Sequence, residues 1–360
     1  MKPTLLAAGG YGCVFRPSLG CKGNEGSDPS HVTKIQAADG AARNELAIAK
    51  KIRTITNYQR FFGAAISSCS AARSTISRDV LKQCPLLSHE QQLLLITFDY
   101  IPNVSMQTVA FAALQRAEDI YALLHSYSLL LRSLIKLSTV GVLHMDLKAE
   151  NILYDAVYHL PVIIDFGIAV DMQELTPAKW KDKFYTFSPE YFIWPPEIQY
   201  IAYLLHVNPN PSDKEIHLFS TSIAMNNHAL SDFTAEFKGR WAGDCYRYFS
   251  GFLGEPSDKV ITHLLTFWKT WDNYSLSSMY LRLMQSWHSS GYTSNRVFGG
   301  LVEVFLWGMH PSPLVRYTPE KSVSEYNRVF RTDTDAACVI QDMEEFVQAL
   351  EIKETNVPAK

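Results

Sequence analysis

The 360-residue sequence predicts an α+β protein with a strand-rich N-terminal part and a more helical remainder. Short apolar or β-branched runs at Leu5–Ala8, Val32–Ile35 and Gln92–Asp99 are typical of strands. Ala41–Arg53 instead carries strong helix formers at helical spacing, and Ile120–Thr139 has the pattern of a long amphipathic helix. A chain of this length can bury one large core or two lobes.

Composition is ordinary for a soluble globular protein, with 47% hydrophobic and 19% charged residues. The net charge of −3 gives no general attraction for nucleic acid, so we expect no nucleic-acid partner. The longest apolar region contains His125, Arg132 and Lys136, which favours a core helix over a membrane span. We therefore expect no membrane association, and the N-terminal residues do not have the pattern of a signal peptide.

Six cysteines are scattered along the chain without a C-x-x-C pair. This favours reduced thiols in an intracellular compartment over a disulfide framework. The cysteines are Cys13, Cys21, Cys69, Cys84, Cys245 and Cys338.

Polar residues flank two short apolar runs in the middle of the chain. The runs Ile152–Tyr154 and Val162–Ile164 predict a hairpin that brings Asn151 and Asp165 side by side. Amide and carboxylate oxygens are hard ligands suited to Mg²⁺, so the pair predicts a magnesium site.

Asp146 and Lys148 precede this hairpin and offer a base for a hydroxyl and a cation for a phosphate. Residues 144–151 (H-M-D-L-K-A-E-N) and 165–167 (D-F-G) resemble the catalytic loop and the D-F-G element of eukaryotic-type protein kinases. A chance hairpin with a polar loop is the alternative, but the order and spacing of both motifs argue against it.

The resemblance implies a bilobal protein-kinase-like fold. We expect a small antiparallel-sheet N-lobe over residues 1–101 and a larger, mainly helical C-lobe over residues 102–352, with a tail at 353–360. Residues 203–269 form a long insertion before the central helix, for which apolar spacing predicts two or three helices. The insertion is either a docking surface for a substrate or partner or a purely structural addition.

A glycine-rich stretch lies near the N-terminus. Glycines without Cβ let backbone amides approach phosphate oxygens, so Gly9, Gly10 and Gly12 are candidate nucleotide-binding residues. In the kinase pattern Gly9 and Gly12 match two glycines, Val14 matches the valine and Ala7 replaces the first glycine. A simple hairpin turn is the alternative.

Lys34 and Glu45 are, by the same resemblance, the lysine that holds the α- and β-phosphates of ATP and its carboxylate partner. A solvated strand lysine and a surface acid are the alternatives. Residues 98–103 resemble the kinase hinge, where backbone groups near Asp99 and Ile101 would read adenine and Phe98 would close the back of the site.

The resemblance then assigns the reaction: transfer of the ATP γ-phosphate to a serine or threonine hydroxyl of a protein. Asp146 would take the hydroxyl proton, Lys148 would stabilise the transferred group, and Asn151 and Asp165 would hold Mg²⁺. Met145 departs from the family's arginine, which predicts activity without phosphorylation of the activation segment.

Glu197 closes a P-P-E sequence that resembles the family's A-P-E, and a buried carboxylate needs a cation. The resemblance predicts an ion pair between Glu197 and Arg316, which favours a protein substrate over a small molecule. Asp272 should begin the central helix and accept backbone N–H bonds near His144.

Two other function classes stay open: a pseudokinase that scaffolds partners, and a small-molecule kinase. The chain also resembles the compact kinases of nucleocytoplasmic large DNA viruses in four features. These are the early glycine loop, the short Lys34–Glu45 spacing, the insertion and the M-H-P-S-P-L-V-R segment. That likeness implies a location in the infected-cell cytoplasm or the virion.

Two further expectations are a mobile loop at Ser67–Gln83 and a closing helix at Val339–Ile352.

Overall fold

The computed structural model describes residues 2–10, 12–21, 28–106, 108–109, 117–158, 160–285 and 296–331. The chain divides into two compact units. The first unit comprises Met1–Val104 and Leu153–Ala169, and the second comprises Ser105–Ile152 and Val170–Lys360. The helix expected at Val339–Ile352 and the tail lie outside the described residues.

The first unit is built on a five-stranded antiparallel sheet with the order β1-β2-β3-β5-β4. The three strands predicted from the sequence are confirmed as β1, β3 and β5, and the sheet confirms the expected strand-rich N-terminal part. The strands are β1 (Thr4–Gly9), β2 (Gly12–Arg16), β3 (His31–Ala37), β4 (Ser67–Ala72) and β5 (Gln92–Asp99).

Helix α1 (Gly40–Ile52) follows β3, close to the predicted bounds. The Asp39 side chain accepts a hydrogen bond from the backbone N–H of Ala42 and so caps the helix N-terminus. A short helix α2 (Arg78–Gln83) contributes Val80 to the apolar core of this unit. Core members include Cys13, Phe15, Leu19, Ile35, Ala71, Ile76, Val80, Cys84, Leu87, Leu93 and Leu95.

The predicted mobile loop at Ser67–Gln83 is wrong. Its first six residues form β4, which pairs with β5 from Ser67 opposite Thr97 to Ala72 opposite Gln92, and its last six form α2. The β4 sequence S-S-C-S-A-A contains no β-branched or aromatic residue. This strand therefore forms because it pairs with β5, and local residue propensity does not predict such a pairing.

The expectation of reduced thiols is wrong for four cysteines. Cys13 pairs with Cys84, and Cys21 pairs with Cys69, with Cα–Cα distances of 6.0 and 5.7 Å. The partners are 71 and 48 residues apart in sequence. Connectivity over such separations follows from strand and helix packing and cannot be deduced from cysteine spacing. Cys245 is a buried free thiol.

A small three-stranded sheet with the order β6-β8-β9 contains the predicted hairpin. Within it, the Asp155 backbone N–H donates to the Leu160 carbonyl at 2.8 Å. The strands are β6 (Asn103–Ser105), β8 (Ile152–Asp155) and β9 (Pro161–Ile163). In the second unit, β7 (Val142–Leu143) pairs with β10 (Val170–Asp171).

The second unit is mainly helical, as predicted. The long helix expected at 120–139 is α3. Three helices, α6 to α8, lie within residues 203–269, where apolar spacing predicts two or three. The helices are α3 (Ala117–Thr139), α4 (Trp180–Lys183), α5 (Pro196–His206), α6 (Asp213–Met225), α7 (Ala235–Phe249), α8 (Ser257–Leu265), α9 (Trp271–Gln285), α10 (Arg296–Gly308) and α11 (Pro319–Arg331).

Helix α9 is the central helix of this unit and is buried on nearly every side. Tyr127 of α3 packs edge-on against Tyr280 of α9 and Phe305 of α10, with ring centroids 5.0 and 4.7 Å apart. The Tyr127 hydroxyl lies 3.0 Å from Ser277 Oγ. Among the described residues, no helix is both long enough and apolar enough to cross a membrane.

Candidate active site

The predicted site residues fall in both units, and each group is described within its own unit. The first unit holds the glycine hairpin, Lys34, Glu45 and Asp165, and the second unit holds Asp146, Lys148 and Asn151.

The glycine-rich stretch forms the β1–β2 hairpin, in which Gly9 pairs with Gly12. A Cβ at Gly12 would lie 2.3 Å from the Ile35 carbonyl oxygen, so the close approach of β3 requires this glycine. A Cβ at Gly9 or Gly10 would meet no atom within 4 Å. The backbone at Gly9 and Gly10 therefore has open space beside it, which suits approach by a phosphate. Val14 pairs directly with Lys34 across β2 and β3.

Lys34 ends in an ammonium group that lies between two carboxylates. Its Nζ is 3.0 Å from Glu45 Oε2 and 2.9 Å from Asp165 Oδ1. The Lys34 and Glu45 side chains are only 10% and 3% exposed, whereas that of Asp165 is 32% exposed. Gln36 Nε2 also donates to Glu45 Oε2, at 3.2 Å. The predicted pairing of Lys34 with Glu45 is confirmed, and Lys34 meets Asp165 as well.

Burial and charge act in opposite directions on this cluster. Desolvation alone would lower the pKa of the Lys34 ammonium, but the nearby Glu45 and Asp165 carboxylates outweigh it and raise that pKa. Burial also raises the pKa of the Glu45 carboxyl against the attraction of Lys34. The balance for Lys34 therefore favours its charged form beside the two carboxyl groups.

Asn44 ties helix α1 to the D-F-G segment. Its Nδ2 donates to the carbonyls of Gly167 and Ala169, at 3.1 and 2.8 Å. Asp165 adopts φ = 62°, a left-handed conformation that is costly for a residue with a side chain. Asn44 therefore holds the backbone just beyond the residue that carries this strain.

The predicted hinge lies where β5 ends. The Asp99 side chain is half exposed, with Oδ1 3.4 Å from His31 Nε2. The Ile101 carbonyl accepts a hydrogen bond from Asn103 Nδ2 at 2.7 Å. Adenine recognition by these residues stays a prediction.

In the second unit, the residues of the predicted catalytic loop converge on Asp146. Lys148 Nζ lies 3.0 Å from Asp146 Oδ1 and 2.9 Å from Oδ2. Asn151 Nδ2 donates to Asp146 Oδ2 at 2.9 Å and to the Asp146 carbonyl at 2.8 Å. Because the Asn151 nitrogen is used in this way, its side-chain oxygen is the atom with which it would ligate a cation.

A buried carboxylate fixes the backbone of the predicted catalytic loop. Asp272, at the start of α9, accepts hydrogen bonds from the backbone N–H groups of His144 and Met145, at 2.8 and 3.1 Å. Burial raises the pKa of the Asp272 carboxyl. Met145 has φ = 70°, and its carbonyl accepts a hydrogen bond from Trp194 Nε1 at 2.6 Å. The predicted role of Asp272 is confirmed.

The segment after D-F-G is fastened by the predicted ion pair. Arg316 Nη1 and Nη2 lie 2.8 and 2.7 Å from the two oxygens of Glu197, and both side chains are fully buried. Trp271 Nε1 donates to Glu197 Oε1 at 3.2 Å, and Ser275 Oγ donates to the Ile193 carbonyl at 2.7 Å. The central helix thus contacts both ends of residues 193–197.

Sequence reasoning missed several residues of these groups, among them Gln36, Asn44, Tyr191 and Trp194. The Tyr191 hydroxyl donates to Asp146 Oδ1. Tyr191 lies 45 residues after Asp146, in a segment that carries no motif for such a contact. Asn44 directly precedes Glu45, so its place beside a predicted site residue was the available signal.

These groups have the chemistry of phosphoryl transfer. Positively charged Lys34 suits a polyphosphate. The partly exposed Asp165 carboxylate of the first unit and the Asn151 side-chain oxygen of the second unit are each of the oxygen type that Mg²⁺ prefers. Among the described residues, no cluster of three or more His, Cys, Asp or Glu could hold a metal by itself. Backbone strain at Met145 and Asp165 is also of the kind that concentrates at functional sites.

The comparisons with known proteins give short segments of likeness to protein kinases. No protein-family model matches the chain. Over 111 residues, 28% of the chain, it is 29% identical to cysteine-rich receptor-like protein kinase 10 of Oryza sativa subsp. japonica. Over 69 residues, 19% of the chain, it is 38% identical to serine/threonine-protein kinase D of Synechocystis sp.. The matches span only 17% and 12% of the lengths of these two relatives, and over them the chain is protein-kinase-like.

Proposed function

We propose that the chain is an ATP-dependent protein kinase that phosphorylates serine or threonine hydroxyls. The observation that carries the proposal is the contact of Lys34 Nζ with Glu45 at 3.0 Å and with Asp165 at 2.9 Å. Lys34 and Asp165 are 131 residues apart and belong to separate motifs. A chance hairpin with a polar loop would give no reason for them to meet.

Each residue has one part in the proposed reaction. Asp146 orients the acceptor hydroxyl and takes its proton, and Lys148 stabilises the negative charge of the group in transfer. Lys34, fixed by Glu45, binds the α- and β-phosphates of the substrate ATP. Asp165 and Asn151 would ligate Mg²⁺, which offsets phosphate charge when bound.

The glycine hairpin and the hinge complete the proposed nucleotide contacts. Backbone amides at Gly9, Gly10 and Gly12 would face phosphate oxygens, and backbone groups near Asp99 and Ile101 would face adenine. The buried Glu197–Arg316 pair supports a protein substrate, on the sequence resemblance given above. A partner bound to the insertion, and the likeness to viral kinases with its implied location, rest on sequence alone and stay predictions.

The test is transfer of labelled phosphate from ATP to dephosphorylated casein, followed by phosphoamino-acid analysis. We expect phosphoserine or phosphothreonine with wild-type protein and a loss of about 100-fold or more with Asp146→Asn. ATP binding, measured with a fluorescent nucleotide, should change little in that variant. Asp258→Asn, at the exposed start of α8, is the matched control.

Three results would contradict the proposal. If Asp146→Asn retained turnover, Asp146 would not be the catalytic base. ATP binding without transfer to any acceptor would indicate a pseudokinase scaffold. Transfer only to small molecules would indicate a different kinase class.

Activity should not require phosphorylation of the segment after D-F-G. Met145 is buried, and its apolar side chain has no hydrogen-bond donor for a phosphate. Protein from a bacterial host should keep its activity after phosphatase treatment and removal of the phosphatase. Loss of activity after that treatment would contradict this part of the proposal.

A further inference from the structure

Both carboxylate oxygens of Asp146 are already occupied by groups of this chain. Oδ1 accepts hydrogen bonds from Lys148 Nζ and from the Tyr191 hydroxyl, and Oδ2 accepts from Lys148 Nζ and Asn151 Nδ2. Under the proposed function, Lys148 and Asn151 belong to the machinery and stay in place. The tyrosine hydroxyl therefore occupies the position on Asp146 that an acceptor hydroxyl would take.

Tyr191 is held in this position by its own segment. Its ring packs edge-on against Trp194 with centroids 5.1 Å apart, and Trp194 Nε1 donates to the Met145 carbonyl of the catalytic loop. The Tyr191 carbonyl accepts a hydrogen bond from Gln199 Nε2 at 3.3 Å. Lys148 Nζ lies 6.0 Å from the centre of the tyrosine ring. Because the Tyr191 backbone is anchored by Gln199, release of the hydroxyl from Asp146 would have to come from a turn of the side chain.

Gln199 also anchors the start of the same turn. Its Oε1 accepts from the Ser188 backbone N–H at 3.1 Å, and its Nε2 donates to the Ser188 carbonyl at 2.6 Å. Because residues 188–191 are fixed at both ends, an incoming substrate would displace the Tyr191 side chain without unfolding this turn.

We infer that Tyr191 is a built-in competitor of the protein substrate: its hydroxyl fills the acceptor position on Asp146 and has to leave before transfer. This inference rests on the proposed function. A site whose competent state is only partly populated binds its ligand more weakly in proportion to that fraction. Removal of the hydroxyl should therefore tighten substrate binding and leave nucleotide binding alone.

The test compares Tyr191→Phe with wild-type protein in steady-state transfer to casein. Phenylalanine keeps the ring against Trp194 and removes only the competing donor. We expect KM for casein to fall about threefold to tenfold, because the variant lacks the state in which the tyrosine hydroxyl fills the acceptor position on Asp146. KM for ATP should stay within about twofold of wild type, because Tyr191 has no part in the proposed nucleotide contacts. Tyr185→Phe is the control, since the Tyr185 ring also packs edge-on against Trp194, at 5.9 Å.

A positioning role for Tyr191 predicts the opposite split. If the tyrosine hydroxyl orients Asp146 for catalysis, Tyr191→Phe will lower kcat and leave KM for casein unchanged. That result, or no change in either constant, would overturn the competitor inference while leaving the proposed kinase function intact. If wild-type protein binds ATP but transfers no phosphate, the proposed function fails and the inference fails with it.

Discussion

Arg316 and Glu197 form a bidentate ion pair in which both side chains are fully buried, although they are 119 residues apart in sequence. Paired N–H···O bonds of this kind are the strong, geometrically specific form of an arginine–carboxylate contact. Arg316 Nε also donates to the His310 carbonyl at 2.8 Å, so the guanidinium is fixed on more than one side. The pair links the start of α5 to the segment before α11.

Removal of one partner should be costly because the other charge would stay buried. We expect Arg316→Ala to lower the free energy of unfolding by about 3–5 kcal/mol, measured by urea denaturation. The double variant Glu197→Gln/Arg316→Met removes both charges and should lose less. A loss in Arg316→Ala no larger than that of the double variant would show that unpaired charge is not the cause.

Asp272→Asn should disturb the catalytic loop. One oxygen that accepts from His144 or Met145 becomes an NH₂ group, so a buried backbone N–H loses its acceptor. We expect a loss of about 1–3 kcal/mol in the free energy of unfolding. The rate of phosphate transfer should fall about tenfold to a hundredfold, because a small displacement of groups near the reacting atoms strongly lowers the rate. Asp258→Asn should change neither quantity; equal effects of both variants would refute a specific role for Asp272.

Gly12→Ala and Gly10→Ala should distinguish a glycine required by close packing from a glycine at an open position. A Cβ at Gly12 meets the Ile35 carbonyl at 2.3 Å, whereas one at Gly10 meets nothing within 4 Å. We expect a loss of about 1–3 kcal/mol for Gly12→Ala from overpacking. Gly10→Ala should stay within about 0.5 kcal/mol, as is usual at open surface positions. Thermal and urea denaturation give both values, and equal stability of the two variants would contradict the argument.

The N-terminus of α6 should lose stability at acid pH. Hydrogen bonds from the Ser212 hydroxyl, the Ser212 backbone N–H and Asn208 lower the pKa of Glu215 from its ordinary value of 4.5 to about 2. Since the folded-state pKa is depressed, this stabilisation is present above pH 4.5 and is lost as the pH falls towards 2. Unfolding measured from pH 6 to 2 should show a smaller loss in Glu215→Gln than in wild type. Glu255→Gln, in the loop before α8, is the control, and an unchanged pH profile in Glu215→Gln would contradict the assignment.

The elements that the sequence predicted best have strong local signals. Strand β5 has the predicted bounds Gln92–Asp99 because its apolar run is long and continuous. Helix α1 lies within one residue of its predicted bounds. Helix α9 has no comparable apolar pattern, since Asn273, Ser275 and Ser277 are buried along it. Its start was predicted only through the family resemblance.

The contacts that the sequence could not supply depend on packing between distant segments. Strand β4 is defined by its pairing with β5, and the Cys13–Cys84 pair by the packing of α2 on the sheet. Tyr191 is a related case, because nothing in a tyrosine near the P-P-E sequence predicts that its hydroxyl meets Asp146. The Lys34–Glu45 and Glu197–Arg316 pairs could be predicted because the family resemblance points to both partners of each pair. For Glu197, the need of a buried carboxylate for a cation supported the same pairing. The proposed lobe boundary at 101/102 and the ligand roles of the site residues stay predictions.

Asn44 makes helix α1 and residues 167–169 a single mechanical element. Its amide nitrogen holds two carbonyls just beyond Asp165, while the adjacent Glu45 holds Lys34. If helix α1 moved along the sheet, either both hydrogen bonds from Asn44 would break or Asp165 would move with the helix. A binding event that displaced this helix would disengage the lysine and shift the carboxylate in one movement.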